Sequence, residues 1–426
     1  MKLSKYNIIV EDNDKSLIFN SYSSALIRVS DYLAKKLINE EFCELPEAAI
    51  SSLRDKGILV DDINSQTLQY KYRYYKAAFR DKNPFLYIAP TMQCNFACEY
   101  CFENGNKHQG LMDDNIIKSI VRFLKVHGKD EIYIVWFGGE PMLGYPRILR
   151  LCDELKNADI KYTSSMITNG GLFNDENISQ LYRLGLKFIQ LSMDGVGDTQ
   201  DKRRCFKGGK PTFEIVIKNL KIILQKTDIP VVIQVTIDRR NATAYKDMLG
   251  FCNSHFKEYV DSGRLRIGFN PVQDRTGFDC GKTCFRGEEL VDIGIENINI
   301  KQEWTIPRLS YPCMYRTSWH FAIDPEGNLY KCLEHLGDPT KRVGSLRDDW
   351  ISMERLSKAA FEESAFDNIS CVECKVFPIC GGGCPLDRIN NSKDDKEARI
   401  ICSKYKEGLE RMLPHVYRSV YEKTER

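Results

Sequence analysis

Hydrophobic and polar positions follow two alternating periods between residues 84 and 270. Short apolar runs are followed by longer segments in which apolar residues recur every three or four positions. This alternation predicts βα units and a parallel sheet. The predicted strands cover residues 85–89, 132–137, 164–168, 188–193, 231–236 and 266–270, and the predicted helices include 114–127, 145–156, 174–184 and 212–225.

Six strands in series predict an α/β domain, a partial (β/α)6 barrel of the TIM type, over residues 83–277. In such a barrel the carboxyl ends of the parallel strands meet at one edge, and catalytic residues lie there. The pattern therefore directs the search for chemistry to the segments that follow each strand.

A different pattern precedes the barrel in residues 1–82. Short strands and short helices in this order favour a winged-helix-like module, and the charged run 69–76 is predicted to link it to the barrel. The predicted elements are hairpin arms over 6–10 and 16–20, helices over 25–29, 31–37 and 46–53, and a strand over 57–60.

Periodicity weakens after the barrel, and cysteines become frequent in residues 278–426. This segment predicts a loop-rich module organised by metal ligation, because a chain with few periodic apolar faces needs another source of folding free energy.

Composition and charge exclude several classes of protein. The 426 residues carry a net charge of +2, which gives no electrostatic reason to expect nucleic acid or an anionic membrane as a partner. No apolar stretch is long enough to span a bilayer, and the N-terminus lacks a hydrophobic signal region, so a cytoplasmic protein is expected. Its 16 cysteines then indicate metal or cluster ligation more than disulfides.

Three cysteines follow the first predicted barrel strand at Cys94, Cys98 and Cys101. The C-x3-C-x2-C spacing places three thiolates on one short loop, which suits a [4Fe-4S] cluster whose fourth iron has no protein ligand. Structural zinc is the alternative, but zinc sites usually come as C-x2-C pairs that close four ligands.

A second motif, Gly138-Gly-Glu-Pro141, follows the second barrel strand. Two glycines permit close approach of a backbone to a ligand, and the glutamate can accept hydrogen bonds from an amine. Alone this motif is a turn; one strand after the cysteine triplet, it indicates a binding site.

The two motifs together on a βα barrel resemble the radical S-adenosylmethionine (SAM) superfamily over residues 84–270. The resemblance implies that the open iron chelates the amino and carboxylate groups of SAM. It also implies that a 5′-deoxyadenosyl radical abstracts a hydrogen from the substrate.

The resemblance extends to individual SAM-binding positions. It implies that Tyr100 contacts adenine, that Arg204 pairs with the SAM carboxylate, and that Ser192, Asp194 and Gln234 reach the ribose region. The positions implied to hold the methionine amine are Gly138, Gly139 and Glu140, and Thr168-Asn-Gly170 ends the third strand.

Seven C-terminal cysteines are spaced like those of the SPASM domain, which carries two auxiliary [4Fe-4S] clusters. A zinc ribbon would use four of them and leave three unexplained. By this resemblance the outer cluster is bound by Cys371, Cys374, Cys380 and Cys402, and the inner one by Cys313, Cys332 and Cys384.

The spacing does not identify the fourth ligand of the inner cluster. No cysteine occupies positions 304–312, where the family often supplies one; Cys280 or Cys284 could serve instead. Otherwise that cluster has an open iron that could bind a substrate thiolate or peptide group.

SPASM enzymes act mainly on peptides and proteins, and residues 1–82 resemble the RiPP recognition element, which binds a leader peptide by strand addition. The resemblance therefore implies a maturase that forms a thioether, carbon–carbon or other crosslink on a ribosomally made precursor peptide. The implied cofactors are three [4Fe-4S] clusters and SAM, and the implied partners are the precursor with its leader and a reductant such as flavodoxin or ferredoxin.

Two alternatives remain. An anaerobic sulfatase maturase would oxidise Cys or Ser to formylglycine, but such enzymes commonly place Asp where this chain has Leu333, and they lack so large an N-terminal module. A non-catalytic iron–sulfur electron carrier would have little use for Gly138-Gly-Glu140.

The residues predicted near the substrate are Tyr315, Trp319, His320 and Glu334.

Overall fold

A computed structural model describes residues 1–80, 84–103, 110–128, 132–272, 283–285, 287–296, 306–391, 402 and 405–422. The chain divides into two compact units. The first contains Met1–Arg80, Arg286–Ser318 and Lys358–Arg426, and the second contains Asp81–Phe285 and Trp319–Ser357. We call the second the barrel unit. The division of the chain by function, at residues 82 and 277, stays a prediction.

The first unit begins with a three-stranded antiparallel sheet followed by three helices. The sheet has the order β2-β3-β4, and β1 pairs separately with β5. The strands are β1 (Lys2–Leu3), β2 (Asn7–Asp12), β3 (Lys15–Asn20), β4 (Ala25–Ser30) and β5 (Leu59–Val60), and the helices are α1 (Asp31–Ile38), α2 (Glu47–Asp55) and α3 (Ser65–Ala78).

Two predictions for this segment were wrong. Residues 25–29 form strand β4, which pairs with β3 from Asn20↔Ala25 to Lys15↔Ser30. A five-residue apolar run fits either period, and the partner strand decides which one forms. Residues 69–76 are not a linker but part of α3, where Tyr70 is fully buried.

Both faces of the β2-β3-β4 sheet are covered by apolar side chains of the same unit. On one face Ile18 packs with Leu37 and Leu53 from the helices that follow. On the other, Phe19 packs with Leu413 of the C-terminal helix. An ion pair at 2.9 Å between Arg418 and the buried Asp12 lies in the same unit. Residues 1–80 therefore share a hydrophobic core with the C-terminal segment.

The barrel unit is built on a ten-stranded sheet with the order β11-β10-β9-β8-β7-β6-β12-β13-β14-β15. Its first six strands are parallel neighbours and confirm the predicted fold class. These strands are β6 (Phe85–Ile88), β7 (Ile132–Trp136), β8 (Tyr162–Thr168), β9 (Leu186–Met193), β10 (Val231–Ile237) and β11 (Leu265–Pro271).

Helices of the barrel unit follow the strands, and the longer ones bury an apolar face. In α4, for example, Ile117 and Ile120 are buried, and Asp113 caps the helix by accepting from the Ile116 N–H. The helices are α4 (Asp114–His127), α5 (Tyr145–Asn157), α6 (Asp175–Ser179), α7 (Asp198–Arg203), α8 (Phe213–Lys226), α9 (Ala244–His255) and α10 (Lys257–Asp261). The predicted helix 174–184 is divided into α6 and a 3-10 turn at Leu181–Leu184.

The sequence did not predict the strands that extend the sheet beyond β6. Strand β12 pairs in parallel with β6, with His320 opposite Phe85, and an antiparallel meander follows it. The additional strands are β12 (His320–Ile323), β13 (Asn328–Tyr330), β14 (Gly344–Ser345) and β15 (Trp350–Ile351).

Four of the C-terminal cysteines lie on or beside short helices, namely Cys371, Cys374, Cys380 and Cys384. The helices after the barrel are α11 (Gly287–Glu296), α12 (Met353–Phe361), α13 (Ile369–Val372), α14 (Phe377–Cys380), α15 (Pro385–Asn391) and α16 (Tyr405–Tyr421). In the part of the chain that the structure describes, no helix is both long and apolar enough to cross a membrane.

Candidate cofactor and cluster sites

The cysteine triplet lies on the loop that leaves β6 and lines a cavity of about 350 Å³. The loop is held by backbone bonds to the segment after α7: Ala97 N–H donates to the Cys205 carbonyl at 2.9 Å, and Lys207 N–H donates to the Asn95 carbonyl at 2.9 Å. The cavity is lined by Met92, Gln93, Cys94, Asn95, Phe96, Cys98, Cys101, Glu103, Gly139, Leu143 and Lys207.

Burial dominates the acid–base behaviour of the three thiols. It raises the pKa of Cys94 to about 12 and that of Cys101 to about 11, and it also raises the pKa of Cys98. A bound metal centre reverses this preference because it stabilises the thiolate. Among the described residues, no group of three or more His, Cys, Asp or Glu side chains is arranged to hold a single metal ion.

The glycines of the Gly-Gly-Glu-Pro turn are required by the chain itself. A Cβ on Gly138, whose φ is +111°, would lie 2.4 Å from the Thr91 carbonyl oxygen, and one on Gly139 would lie 2.3 Å from that of Gln93. Contacts this short are sterically excluded, so both positions need glycine. The turn therefore packs directly against the segment that leads into Cys94.

Glu140, which follows β7, accepts hydrogen bonds from residues at the end of β8. Its side chain is fully buried, Oε1 accepts from Thr168 Oγ1 at 2.7 Å and the Met142 N–H at 3.0 Å, and Oε2 accepts from the Asn169 N–H at 2.7 Å. Burial raises the pKa of the carboxyl, and these donors oppose that rise. The structure thus gives Glu140 three donors from its own chain; its contact with a methionine amine stays a prediction.

Tyr100, Asp194 and Arg204 form one hydrogen-bonded group, and their contacts with SAM stay predictions. The Tyr100 hydroxyl donates to Asp194 Oδ1 at 2.5 Å, and Arg204 Nη1 donates to the Tyr100 oxygen at 2.7 Å. Burial lowers the pKa of the Arg204 guanidinium, whereas the nearby Tyr100, Cys98 and Asp194 raise it. The second effect is larger, so the pKa is raised overall. Arg204 Nε is buried without a partner.

Sequence reasoning missed Arg203, which lies at the centre of the same group. Its Nε donates to Asp194 Oδ2 at 2.8 Å, its Nη1 donates to Asp238 at 3.1 Å, and its guanidinium lies 5.3 Å from the centre of the Tyr100 ring. Asp194 and Asp238 are both fully buried. The adjacent Arg203 and Arg204 thus neutralise carboxylates from two strand ends, a pairing that sequence spacing does not show.

We expect Asp194→Ala to destabilise the protein strongly, because it leaves two buried guanidinium groups without their shared carboxylate. Loss of one partner from a buried ion pair costs about 3–5 kcal/mol. Denaturant unfolding followed by circular dichroism measures this cost. The matched control is Asp198→Ala, since Asp198 pairs with Lys202 while 90% exposed, and such a pair contributes less than about 1 kcal/mol. Equal unfolding midpoints for the two variants would contradict the prediction.

Ser192 and Gln234 lie side by side on neighbouring strands. They are in register between β9 and β10, and both are half-buried between fully buried neighbours, so they share one face of the sheet. The absence of a side chain at Gly268 leaves room for Gln234, whose Oε1 would lie 3.3 Å from a Cβ there. Their predicted contacts with ribose remain predictions.

Two polar groups that the sequence did not indicate have unpartnered atoms in the wall of the triplet cavity. Glu103 Oε1 and Asn95 Nδ2 are buried without a hydrogen-bond partner. Burial, followed by the nearby Glu140, raises the pKa of Glu103 to about 8. Asn169, which ends β8, donates to Asn95 Oδ1 at 2.8 Å and to Cys94 Sγ at 3.7 Å. An acceptor and a donor left open beside the thiolates fit the amino-acid portion of SAM.

Three of the four predicted ligands of the outer cluster are close in sequence and structure. Cys371, Cys374 and Cys380 lie on or beside the short helices α13 and α14, and Cys374 N–H donates to the Cys371 carbonyl at 3.0 Å. Burial raises the pKa of Cys374, and Cys380 and Cys402 add to this through their charge. All four side chains belong to the first unit.

The glycine triplet after Cys380 reverses the chain within a few residues. Gly381, Gly382 and Gly383 have φ values of +66°, +85° and +77°. A Cβ on Gly382 would lie 2.1 Å from that of Ala365. This left-handed run, which other residues rarely adopt, turns the chain tightly after Cys380, where the Gly383 N–H donates to the Cys380 carbonyl at 3.4 Å.

The inner cluster stays a prediction. Cys313 and Cys384 belong to the first unit, whereas Cys332 follows β13 in the barrel unit. Of the two proposed additional ligands, Cys284 is disulfide-bonded in the structure and Cys280 lies outside the described residues.

Residues predicted near the substrate differ in their surroundings. His320 packs 5.2 Å from the Phe85 ring, and burial, then the charge of Lys331, lowers its pKa to about 4. Trp319 packs on His127 at 4.6 Å, which is a structural contact. Tyr315 lies on a 3-10 turn of the first unit, and Glu334 follows Cys332 on a turn of the barrel unit.

A parallel partial barrel with thiolates and a glycine turn after its first two strands is the architecture of a cofactor-dependent enzyme. Residues 88–244 match the model of the radical SAM superfamily. This segment is therefore a radical SAM domain, and the family that it matches implies SAM and a [4Fe-4S] cluster.

Similar proteins include a sulfatase-maturating enzyme and a radical SAM cyclopropyl synthase. The serine-type anaerobic sulfatase-maturating enzyme of Klebsiella aerogenes is 28% identical over 319 residues, covering 68% of this chain and 77% of that protein. The radical SAM cyclopropyl synthase TigE of Paramaledivibacter caminithermalis is 23% identical over 438 residues, covering 90% and 89%. The fold resembles that of Streptococcus suis SuiB bound to its precursor peptide SuiA, with a TM-score of 0.57, 15% identity, and coverage of 94% and 99%.

Proposed function

We propose that this chain is a maturase that modifies a ribosomally made precursor peptide and forms a thioether, carbon–carbon or other crosslink. The observation that carries the proposal is the sheet-and-helix segment before the barrel, residues 1–80, which supplies an edge strand for a peptide. The similarity to TigE extends over 90% of the chain, whereas the similarity to the sulfatase-maturating enzyme of Klebsiella aerogenes extends over 68%. SuiB, whose fold is similar over 94% of the chain, binds a precursor peptide.

The edge strand β4 would receive the leader peptide. It pairs with β3 on one side, and it ends the order of its sheet. Its residues are mostly half-buried, so its backbone is near the surface. Addition of a peptide strand to such an edge gives affinity through main-chain hydrogen bonds.

We expect binding of the leader peptide to depend on the backbone N–H groups of every second leader residue, which are the ones that face β4. A leader peptide carrying N-methyl groups at every second residue should bind at least about tenfold more weakly in one register, because two or more hydrogen bonds of about 1 kcal/mol each are lost. The same peptide with the methyl groups moved by one residue is the matched control, since its outward N–H groups are not needed. Fluorescence anisotropy of labelled leader measures both. Equal weakening in the two registers would contradict strand addition.

The triplet cavity would hold the cofactors. Cys94, Cys98 and Cys101 would ligate the [4Fe-4S] cluster, and Gly139, Asn95 and Glu103 would border SAM. When bound, these groups supply a 5′-deoxyadenosyl radical that abstracts a hydrogen from the peptide. The chain itself would position the cofactors and the peptide and would exclude water. The half-buried Ser192 and Gln234 present polar groups on one face of the sheet. Phe85 and Tyr133 stack with their ring centres 5.0 Å apart on another part of the sheet.

Two auxiliary clusters, making three in all, complete the proposal, with the seven C-terminal cysteines as their ligands. A small reductant such as flavodoxin or ferredoxin would supply electrons. Clusters and free thiols on this scale need a reducing compartment, so we propose a cytoplasmic location. Nucleic acid and membrane have no part in the proposed reaction.

Oxidation of a Cys or Ser to formylglycine is a second candidate, favoured by the 28% identity with the sulfatase-maturating enzyme. Leu333 stands where sulfatase maturases commonly carry Asp, which argues against it. The two functions differ in product, because formylglycine has an aldehyde and a crosslink does not.

The test is mass spectrometry on a precursor peptide encoded beside this chain, after anaerobic incubation with the reconstituted protein, SAM and dithionite. We expect a loss of two hydrogens in a product that does not react with a hydrazide and whose fragments stay linked. A hydrazide-reactive product would support formylglycine instead. An unmodified peptide, with SAM cleavage intact, would contradict the proposed maturase.

A further inference from the structure

A buried guanidinium contacts one of the cysteines assigned to the outer cluster. Arg388 on α15 is 8% exposed, and its Nη1 donates to Cys371 Sγ at 3.4 Å. Its Nε also donates to the Glu363 carbonyl at 3.0 Å, and Nη1 reaches the Gly382 carbonyl at 3.4 Å. These carbonyl contacts fix the guanidinium, so its charge is held against the sulfur.

A second cation contacts another member of the same set. Lys406 on α16 donates from Nζ to Cys402 Sγ at 3.5 Å. It also lies within electrostatic range of Cys374. Lys406 is exposed, so water and salt screen its charge far more than that of Arg388.

We propose that Arg388, assisted by Lys406, raises the reduction potential of the outer auxiliary cluster. The inference rests on the proposed function, in which Cys371, Cys374, Cys380 and Cys402 hold that cluster. Each electron added to a thiolate-bound cluster increases its negative charge, and a cationic donor on a ligand sulfur stabilises the reduced form more than the oxidised form. Hydrogen bonds to the sulfurs and the charge around them are known determinants of cluster potential.

The two cations should contribute unequally. A charge-assisted hydrogen bond contributes about 1.5–3 kcal/mol, and only the part that differs between the two oxidation states changes the potential. Because the Arg388 guanidinium is buried, its field on the sulfur is weakly screened. Arg388 therefore sets most of the shift, and Lys406 adds a smaller, salt-dependent part.

The experiment is a redox titration of the full-length reconstituted chain, followed by electron paramagnetic resonance. The signal that disappears in Cys374→Ala belongs to the outer cluster. In Arg388→Met we expect the ratio of reduced to oxidised outer cluster at a fixed potential to fall about tenfold, which is about 59 mV for one electron. Arg388→Lys should give a smaller fall, and Lys406→Met a fall that shrinks further as salt is added.

Arg316→Met is the matched control. Arg316 is also buried, but the hydrogen bonds of its guanidinium go to the carbonyls of Ala359, Glu362 and Glu363. Its replacement should cost stability with a smaller shift in potential than Arg388→Met.

Each outcome distinguishes the inference from the proposed function. An outer-cluster signal that titrates at the same potential in Arg388→Met as in the unsubstituted chain would overturn the role of Arg388. If Arg388→Met loses the outer-cluster signal, the other two variants decide. Unchanged outer-cluster potentials in both Arg388→Lys and Lys406→Met would then overturn the proposed role of these cations. The absence of any Cys374-dependent signal from the unsubstituted chain would instead refute the outer cluster, and with it the basis of the proposal.

Discussion

Replacement of Cys98 by alanine should abolish SAM cleavage in the reconstituted chain. Cys98 is the most deeply placed thiol of the triplet, 8% exposed, in the cavity that Cys94 and Cys101 also line. A [4Fe-4S] cluster with two protein thiolates instead of three would be lost or would lack its redox activity. We expect the rate of 5′-deoxyadenosine release, measured by liquid chromatography under anaerobic reduction, to fall by more than about 10³-fold, a change of over 4 kcal/mol in barrier.

Cys252→Ala is the matched control for this experiment. Cys252 is also buried, with no exposed surface, but it lies within α9 and has no assigned ligand role. Its replacement should cost stability through a small cavity while leaving SAM cleavage near that of the unsubstituted chain. Cleavage that persists in Cys98→Ala, or that disappears equally in Cys252→Ala, would refute the assignment of the triplet.

The six parallel strands of the barrel could be predicted from sequence because each is a compact apolar run bounded by polar or turn residues. The four strands beyond β6 could not, since β12 takes its place by pairing with Phe85–Ile88 and the three strands after it have only two or three residues each. Strand β4 was mistaken for a helix for a related reason: its alternation extends over too few residues to exclude the other period.

The cysteine triplet could be singled out from the sequence because its spacing is local, and the structure places Cys94, Cys98 and Cys101 around one cavity. Their role as cluster ligands stays a prediction. The group around Asp194 could be predicted only in part. Asp194 and Arg203 follow β9, whereas Asp238 follows β10, and the ion pairs of Arg203 with both carboxylates form where the two strand ends converge. Glu103 and Asn95 were missed because an unpartnered buried atom is a property of the folded cavity, not of a spacing.

The expectation that residues 1–82 form a separate module omitted the core they share with the C-terminal helix. Ile8, Leu17 and Phe19 pack with α16, so removal of residues 1–80 would expose the apolar face of that helix. A deletion would therefore alter folding and leader binding together. The N-methylated leader peptides separate the two effects because the protein stays intact.

Phe19→Ala should unfold the first unit at markedly lower denaturant concentration. Phe19 is fully buried in the core that β3 shares with Leu413 of α16, also fully buried, and a Phe→Ala change in such a core costs about 3–5 kcal/mol. Leu413→Ala should cost about 2–5 kcal/mol by the same reasoning. Urea unfolding followed by tyrosine fluorescence measures both.

The double variant decides whether the two ends of the chain form one cooperative core. Because Phe19 and Leu413 belong to the same packed cluster, their effects should be non-additive by about 0.5 kcal/mol or more. Tyr32→Ala is the control, since Tyr32 is 65% exposed on α1 and its loss should change stability by less than about 0.5 kcal/mol. Strict additivity of Phe19→Ala and Leu413→Ala would contradict energetic coupling between the N-terminal sheet and α16.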